Sequence, residues 1–309
     1  MNRRDALKST ATFTAAAGVL PTSRSGAVET RTLAAGPPRS SYIDTPDGQS
    51  LFYKDWGSGE PVVFLGAWAL PSDMWQYQMT PLSEQGLRCV AYDRRGHGRS
   101  SQAGAGYDYD TLADDLAAVL DTLDLRDVVL VGMSMATGEM VRYLTRHGAR
   151  RIARLVFVGT AATPFPMQSA DNPEGIPAER FEYFRRHVLL RDFPTWIEEN
   201  RPPFFVPDTP PEIQEWVRTM MLSTSMKAVV ECNRCSTETD FRPELPRITV
   251  PTLVIHGDKD VSAPLDRTGR PTAKMIPGAE LRIYEGAPHG LFVTHMAQLT
   301  KDLLAFAKE

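Results

Sequence analysis

The sequence has little of what would assign it to a special class at once. It holds three cysteines in 309 residues, Cys89, Cys232 and Cys235, too few for a disulfide-built fold. The apolar run from Ser9 to Leu20 is too short for a membrane helix, and no later stretch is long enough, so no stable membrane association is expected. Basic charge is not in excess: the net charge of −4 and pI near 5.9 give no reason to expect nucleic acid as a partner. No internal repeat is visible. Apolar residues make up 42% of the chain, which rules against wholesale disorder and allows one large domain, or a core with a smaller insertion.

The first residues follow a different logic. Arg3-Arg4-Asp5-Ala6-Leu7-Lys8 precedes the charge-free, alanine-rich Ser9 to Leu20, and small residues follow around Ser25-Gly26-Ala27. That order of charged end, short apolar run and small residues predicts an export signal over 1–27, and the arginine pair resembles a twin-arginine signal. The expected location is therefore periplasmic or secreted, in a bacterium. Residues 1–27 hold four basic groups and one acidic, a net +3, so the chain without them would carry −7 rather than −4. Residues 28–40, rich in Ser, Pro, Gly and Ala, read as a linker.

From Ser41 the pattern turns regular. Tyr42-Ile43 and Leu51-Phe52-Tyr53 flank the turn signal Thr45-Pro46-Asp47-Gly48, which predicts a hairpin. Short, continuously apolar runs at 61–65, 88–92, 128–132, 155–158 and 252–255 read as strands buried on both faces, and the alternating 280–284 as an edge strand. Helix patterns lie between them, including Leu112, Leu116, Val119, Leu120 and Leu123, then Met140, Val141 and Leu144 before Gly148, and a closing helix from Gln298 to Ala307. The alternation predicts an α/β fold, a mostly parallel central sheet with helices on both faces. The rhythm breaks over 163–243, which is rich in proline and aromatics; it reads as a helical cap inserted between core segments 41–162 and 244–309. Within it Met226 to Cys235 reads as helix, with the thiols of Cys232 and Cys235 one turn apart. Export would permit a disulfide there, but partial burial on the helix is the favoured explanation. No second cysteine pair or nearby histidine completes a metal site, so no metal is expected.

Ser134, in Gly132-Met133-Ser134-Met135-Ala136, follows a predicted strand and precedes a predicted helix. A tight strand-to-helix turn exposes such a side chain at the carboxyl edge of a sheet, which predicts a nucleophile; the alternative is a serine that merely caps the helix. The base is sought among six histidines. His289, in a loop between the last strand and last helix, is placed to reach the serine, and His97 is placed to shape the pocket. The acid that orients the base is expected from His256-Gly257-Asp258-Lys259-Asp260, where spacing leaves both aspartates open. Backbone N–H donors for a tetrahedral intermediate are expected from Met135, after the serine, and from the loop Gly66-Ala67-Trp68-Ala69.

These motifs, with Asp73-Met74-Trp75, Tyr92-Asp93-Arg94-Arg95-Gly96-His97-Gly98-Arg99-Ser100, Tyr107-Asp108-Tyr109-Asp110-Thr111, Glu238-Thr239-Asp240-Phe241-Arg242 and Gly286-Ala287-Pro288-His289-Gly290, resemble those of the α/β-hydrolases known as cofactor-free (non-haem) chloroperoxidases or bacterial arylesterases. The resemblance spans roughly Tyr42 to Phe306. It implies Ser134 as nucleophile, Asp260 as acid, His289 as base, Trp68 as the second oxyanion donor, and no cofactor. It also implies a small-molecule ester, lactone or other acyl substrate, with peroxide replacing water in a perhydrolytic branch. The chain departs from the family at Gly66-Ala67, where His-Gly is usual, and at Ala136-Thr137, where Gly-Gly is usual. If the backbone at Ala67 is left-handed, its methyl group should strain the loop; Thr137 would add a polar group near the site. A C–C bond hydrolase on the same triad and a non-catalytic binding protein are the alternatives.

Overall fold

A computed structural model describes residues 41–160 and 167–309. The expected signal (1–27) and linker (28–40), and positions 163–166 at the start of the expected cap, lie outside the described residues.

Among the described residues eight strands form one sheet, in the order β1-β2-β4-β3-β5-β6-β7-β8. The strands are β1 (Tyr42–Asp44), β2 (Ser50–Trp56), β3 (Glu60–Leu65), β4 (Leu87–Tyr92), β5 (Val128–Met133), β6 (Ile152–Val158), β7 (Thr252–Gly257) and β8 (Glu280–Tyr284). The expected hairpin is β1–β2, joined antiparallel to β4; all other pairings are parallel. Alternation along the central strands explains why they read as continuous apolar runs. Val63 and Leu65 pack on one face of the sheet, Val62 and Phe64 on the other, and Leu130 and Val131 divide in the same way.

Helices cover both faces. α1 (Gln76–Glu84) follows a short 3₁₀ turn, Ser72–Trp75, and α2 (Tyr109–Thr122) and α3 (Ala136–His147) pack against each other. The α2 terminus is fixed by Asp108, whose carboxylate accepts from Thr111 N at 2.9 Å. α3 stops at Gly148, whose φ of 79° is left-handed. No apolar stripe marks α1 in the sequence; Pro81 and its polar residues obscure it.

Between β6 and β7 the chain builds a helical insertion: α4 (Ala178–Phe184), a π-helical turn over Arg185–Leu189, α5 (Leu190–Phe204), α6 (Pro211–Leu222) and α7 (Met226–Glu238). α5 is interrupted at Asp192, whose carboxylate accepts from Thr195 N at 3.0 Å and restarts the helix with Pro194 in its first turn. Cys232 and Cys235 sit on α7 as free thiols, not a disulfide; burial pushes the Cys232 thiol up to about 12. After β7 come α8 (Gly269–Met275), α9 (Leu291–Thr294) and α10 (Met296–Ala307), the last packing beside α1.

The strand order reverses between β3 and β5. The chain leaves β3 for β4 on one side and returns to form β5 on the other. A crevice opens above the carboxyl ends of strands at such a switch point. Pairing of Leu65 with Gly132 places the loop after β3 directly beside the turn after β5.

Candidate active site

Ser134 sits on the turn between β5 and α3 with φ of 58°, a left-handed conformation costly for a residue with a side chain. The turn is tied down. Ser134 N donates to Val158 O at 2.9 Å, and a side chain on Gly132 would run into the Met140 sulfur. α3 has no side-chain cap at its start, so Ser134 is not a capping serine. Its hydroxyl lies 3.1 Å from Nε2 of His289 instead.

His289 stands in the loop between β8 and α9. Its Nδ1 donates to Oδ2 of Asp260 at 2.6 Å, which leaves Nε2 to accept from the serine hydroxyl. Asp260 is buried, and its other oxygen accepts from Ala263 N at 2.8 Å. Burial pushes this carboxyl up, but the facing His289, the Ala263 N–H and His256 outweigh it, so Asp260 lies below the ordinary carboxylate range. Asp258, left open by spacing, faces elsewhere: it accepts from Gly286 N at 2.7 Å and has Lys259 beside it. Such a chain of three groups can draw the proton from a serine hydroxyl as the oxygen attacks a carbonyl. His256 is a structural neighbour, bonded through Nε2 to Ala263 O at 2.7 Å.

The loop after β3 is braced from beneath. Arg94 reaches up from the end of β4 and donates to Gly66 O at 2.7 Å and Ala67 O at 3.3 Å. Its Nε donates to Glu139 of α3 at 2.6 Å. Both side chains are buried; burial works against the Arg94 charge, Glu139 outweighs it, and the guanidinium stays ionised. His97 lies under the same loop, not at the pocket wall. Its Nδ1 is 3.0 Å from Arg95 O, and burial beside Arg94 pushes its pKa down to about 3. From above, the Trp68 indole donates to Val229 O of α7 at 2.8 Å, and Thr224 donates to Ala69 O at 3.0 Å. The left-handed residue in this loop is Ala69, with φ of 60°, not Ala67. The other departure, Thr137, is fully buried and donates to Ser134 O at 2.7 Å, so its hydroxyl serves the turn and not the cavity.

The relay opens into a cavity of about 360 Å³. Ala67, Trp68, Ser134, Met135 and His289 form its floor, and Phe181, Phe184, Trp196, Phe204 and Val217 of the insertion form its apolar roof, with Arg201 and Arg218 among the polar groups. The aromatics of the insertion do two jobs. Trp196 lines the cavity and also packs on Trp68 and Phe193, at centroid distances of 5.3 and 5.9 Å. The roof touches the relay through Phe204. Its ring meets His289 edge-on at 5.8 Å, and its carbonyl accepts from Gly290 N at 3.0 Å.

The sequence profile of the Alpha/beta hydrolase family matches residues 62–302, most of the chain. The chain belongs to that family. It is 41% identical over 271 residues to a non-heme haloperoxidase of Rhodococcus erythropolis, covering 86% of this chain and 98% of the relative. It is 35% identical over 275 residues to a bifunctional esterase/perhydrolase of Acinetobacter calcoaceticus, covering 86% and 99%. The solved structure of an esterase from Exiguobacterium antarcticum superposes with a TM-score of 0.83 at 31% identity, covering 87% of this hydrolase and 99% of that chain.

The structure therefore brings Ser134, His289 and Asp260 into one hydrogen-bonded line and sets Trp68 and Met135 on the cavity floor beside it. Sequence reasoning missed Arg94 and Glu139, which are 45 positions apart and meet only through the fold. The hint for Arg94 was its place in the Tyr92–Ser100 motif, just after a buried strand. It also missed the tie between Phe204 and Gly290, since a backbone contact of that kind leaves no mark on residue type.

Proposed function

We propose that this hydrolase is a serine esterase that works through an acyl-enzyme on Ser134, with water and hydrogen peroxide as alternative acceptors. The observation that carries the reading is the Ser134–His289–Asp260 relay opening onto a largely apolar cavity. The Ser134 oxygen attacks the ester carbonyl while its proton passes to Nε2 of His289. Asp260 holds the imidazole in the required tautomer and stabilises the imidazolium. The backbone N–H groups of Trp68 and Met135 receive the oxyanion. As the tetrahedral intermediate collapses, the C–O bond to the alcohol breaks and the alcohol leaves with the proton from His289. Water, deprotonated by His289, then attacks the acyl-enzyme and releases the acid and free Ser134; peroxide in its place releases a peracid. The relatives named as esterase, haloperoxidase and esterase/perhydrolase support both branches.

A fluorophosphonate probe tests the reading. It should label the wild type and not Ser134→Ala, and an unlabelled wild type under conditions that label an active esterase would sink the proposal. A series of p-nitrophenyl esters of graded acyl length, a set of lactones and a peracid assay with acetate and peroxide then define the substrate.

We further propose that the enzyme is exported. Residues 1–27 act as a twin-arginine export signal that delivers the folded enzyme to the periplasm or beyond, supported by Arg3-Arg4 ahead of the short apolar run. Replacing both arginines with lysine should leave the protein in the cytoplasmic fraction; unchanged export would refute the twin-arginine route.

A further inference from the structure

A peptide unit is planar and trans, so its N–H points opposite to its C=O. Whatever fixes the carbonyl of one residue therefore fixes the amide hydrogen of the next. The two amides assigned to the oxyanion belong to the peptide units Ala67–Trp68 and Ser134–Met135, and both carbonyls are doubly held. Ala67 O accepts from Leu70 N at 3.1 Å and from Arg94 Nη1 at 3.3 Å. Ser134 O accepts from Thr137 N at 3.2 Å and from the Thr137 hydroxyl at 2.7 Å. In each case the backbone bond is what any tight turn would make. The side-chain bond is additional, and it comes from a residue buried behind the cavity floor.

We propose that Thr137 and Arg94 are positioning residues of the oxyanion site, each gripping the carbonyl of a peptide unit whose N–H receives the negative charge. The inference rests on the esterase reading of Ser134 and adds to it a second layer that sets the donors. Thr137 stands where the resemblance places a glycine, so this hydroxyl is a feature of the present chain. It has one proton. With that proton on Ser134 O, the Thr160 hydroxyl, 2.8 Å away, is the donor to Thr137. The result is a short buried relay, Thr160 to Thr137 to Ser134 C=O, in which each bond polarises the next and strengthens the Met135 N–H as a donor. Arg94 does the same for Trp68 with a full charge, and its bond to Glu139 ties this grip to the helix that begins at the nucleophile turn. The two halves of the oxyanion site, distant in sequence, are thereby coupled through one buried ion pair.

The test pairs Thr137→Val, which keeps the shape and removes the hydroxyl, with Thr137→Ser, which restores it. Thr137→Val should lower kcat roughly 10-fold, the worth of one hydrogen bond, with KM within about 2-fold. Affinity for a boronic acid, which forms a tetrahedral adduct on the serine, should fall by the same factor, and Thr137→Ser should recover most of both. The double variant Arg94→Met/Glu139→Gln, which leaves no unpaired buried charge, should lose about 100-fold in kcat, and Arg94→Lys should fall between it and wild type. Hydrogen exchange at the Trp68 and Met135 amides should quicken in the respective variants whether or not any ester is turned over. If the double variant does not fold, Thr137→Val decides. An unchanged kcat in folded Thr137→Val, a rise in KM at constant kcat, or exchange rates equal to wild type would overturn the proposal. A wild type that hydrolyses no ester would refute the esterase reading, and the exchange data would still decide the grip.

Discussion

The floor and the roof of the cavity are built on different principles. On the floor nearly every group near Ser134 is held by backbone geometry or a buried partner: the left-handed turn, the Asp260 carboxylate with two donors, and the loop braced by Arg94 from below and by α6–α7 from above. The roof comes from helices that break at Asp192 and carry prolines in α5, and much of what it presents to the cavity is aromatic. Side-chain surfaces can change with little effect on the frame, whereas a braced turn cannot. The comparison predicts that changes in the floor alter the reaction and changes in the roof alter the choice of substrate.

The largest expected effect tests the floor. Ser134→Ala should reduce ester turnover by roughly 10⁵-fold or more. Asp260→Asn should cost about 10⁴-fold through the wrong histidine tautomer, while Asp258→Asn, outside the relay, should stay within a few-fold. The reverse ranking of the two aspartates, read as kcat/KM, would break the assignment of the acid.

The floor should also dominate the response to acid. His97 is buried as the neutral form, with its folded pKa near 3 against an ordinary value near 6.5. Below about pH 6.5 the unfolded chain takes up a proton that the folded chain refuses, so stability falls as the pH drops toward 3. His97 alone should remove about 2 kcal/mol between pH 7 and pH 5. Urea denaturation at both values should show a shallower decline in His97→Gln than in wild type, and parallel declines would exclude the buried neutral imidazole as the cause.

On the roof, Trp196→Ala should alter the ratio of kcat/KM between long-chain and short-chain esters by about 10-fold, the scale of apolar pocket discrimination. Turnover of the acetate ester should change far less. Equal losses on every ester would show that the roof also sets the chemistry.

The smallest effects concern the loop after β3. Ala67→Gly should cost about 1 kcal/mol in stability, because it adds backbone freedom at a position that is not left-handed. Ala69→Gly should cost less, since relief of its left-handed backbone offsets loss of a buried methyl group. Thermal denaturation of the two variants measures the order directly.

How far the site was legible in the sequence follows the same division. Ser134 could be read because its turn demands small residues between a strand and a helix, and His289 because it stands in the loop directly after the last strand. Asp260 could not be separated from Asp258 by spacing; the loop's own bonds, to Ala263 N for one and Gly286 N for the other, make the choice. The sheet was legible because strands buried on both faces leave unbroken apolar runs. α1 was not, since Pro81 and polar residues break its pattern. The strain expected at Ala67 falls on Ala69, because residue type does not reveal which position of a loop turns left-handed.

The bond from Gly290 N to Phe204 O has a practical consequence for protein engineers. Cap segments look like interchangeable modules, to be grafted from one hydrolase to another to alter specificity. Here the roof supplies a backbone acceptor to the residue after His289, and any side chain on Gly290 would collide with Phe204. A transplanted cap would have to deliver a carbonyl to the same point in space. A graft chosen only for its pocket-lining residues would leave His289 without its neighbour's anchor.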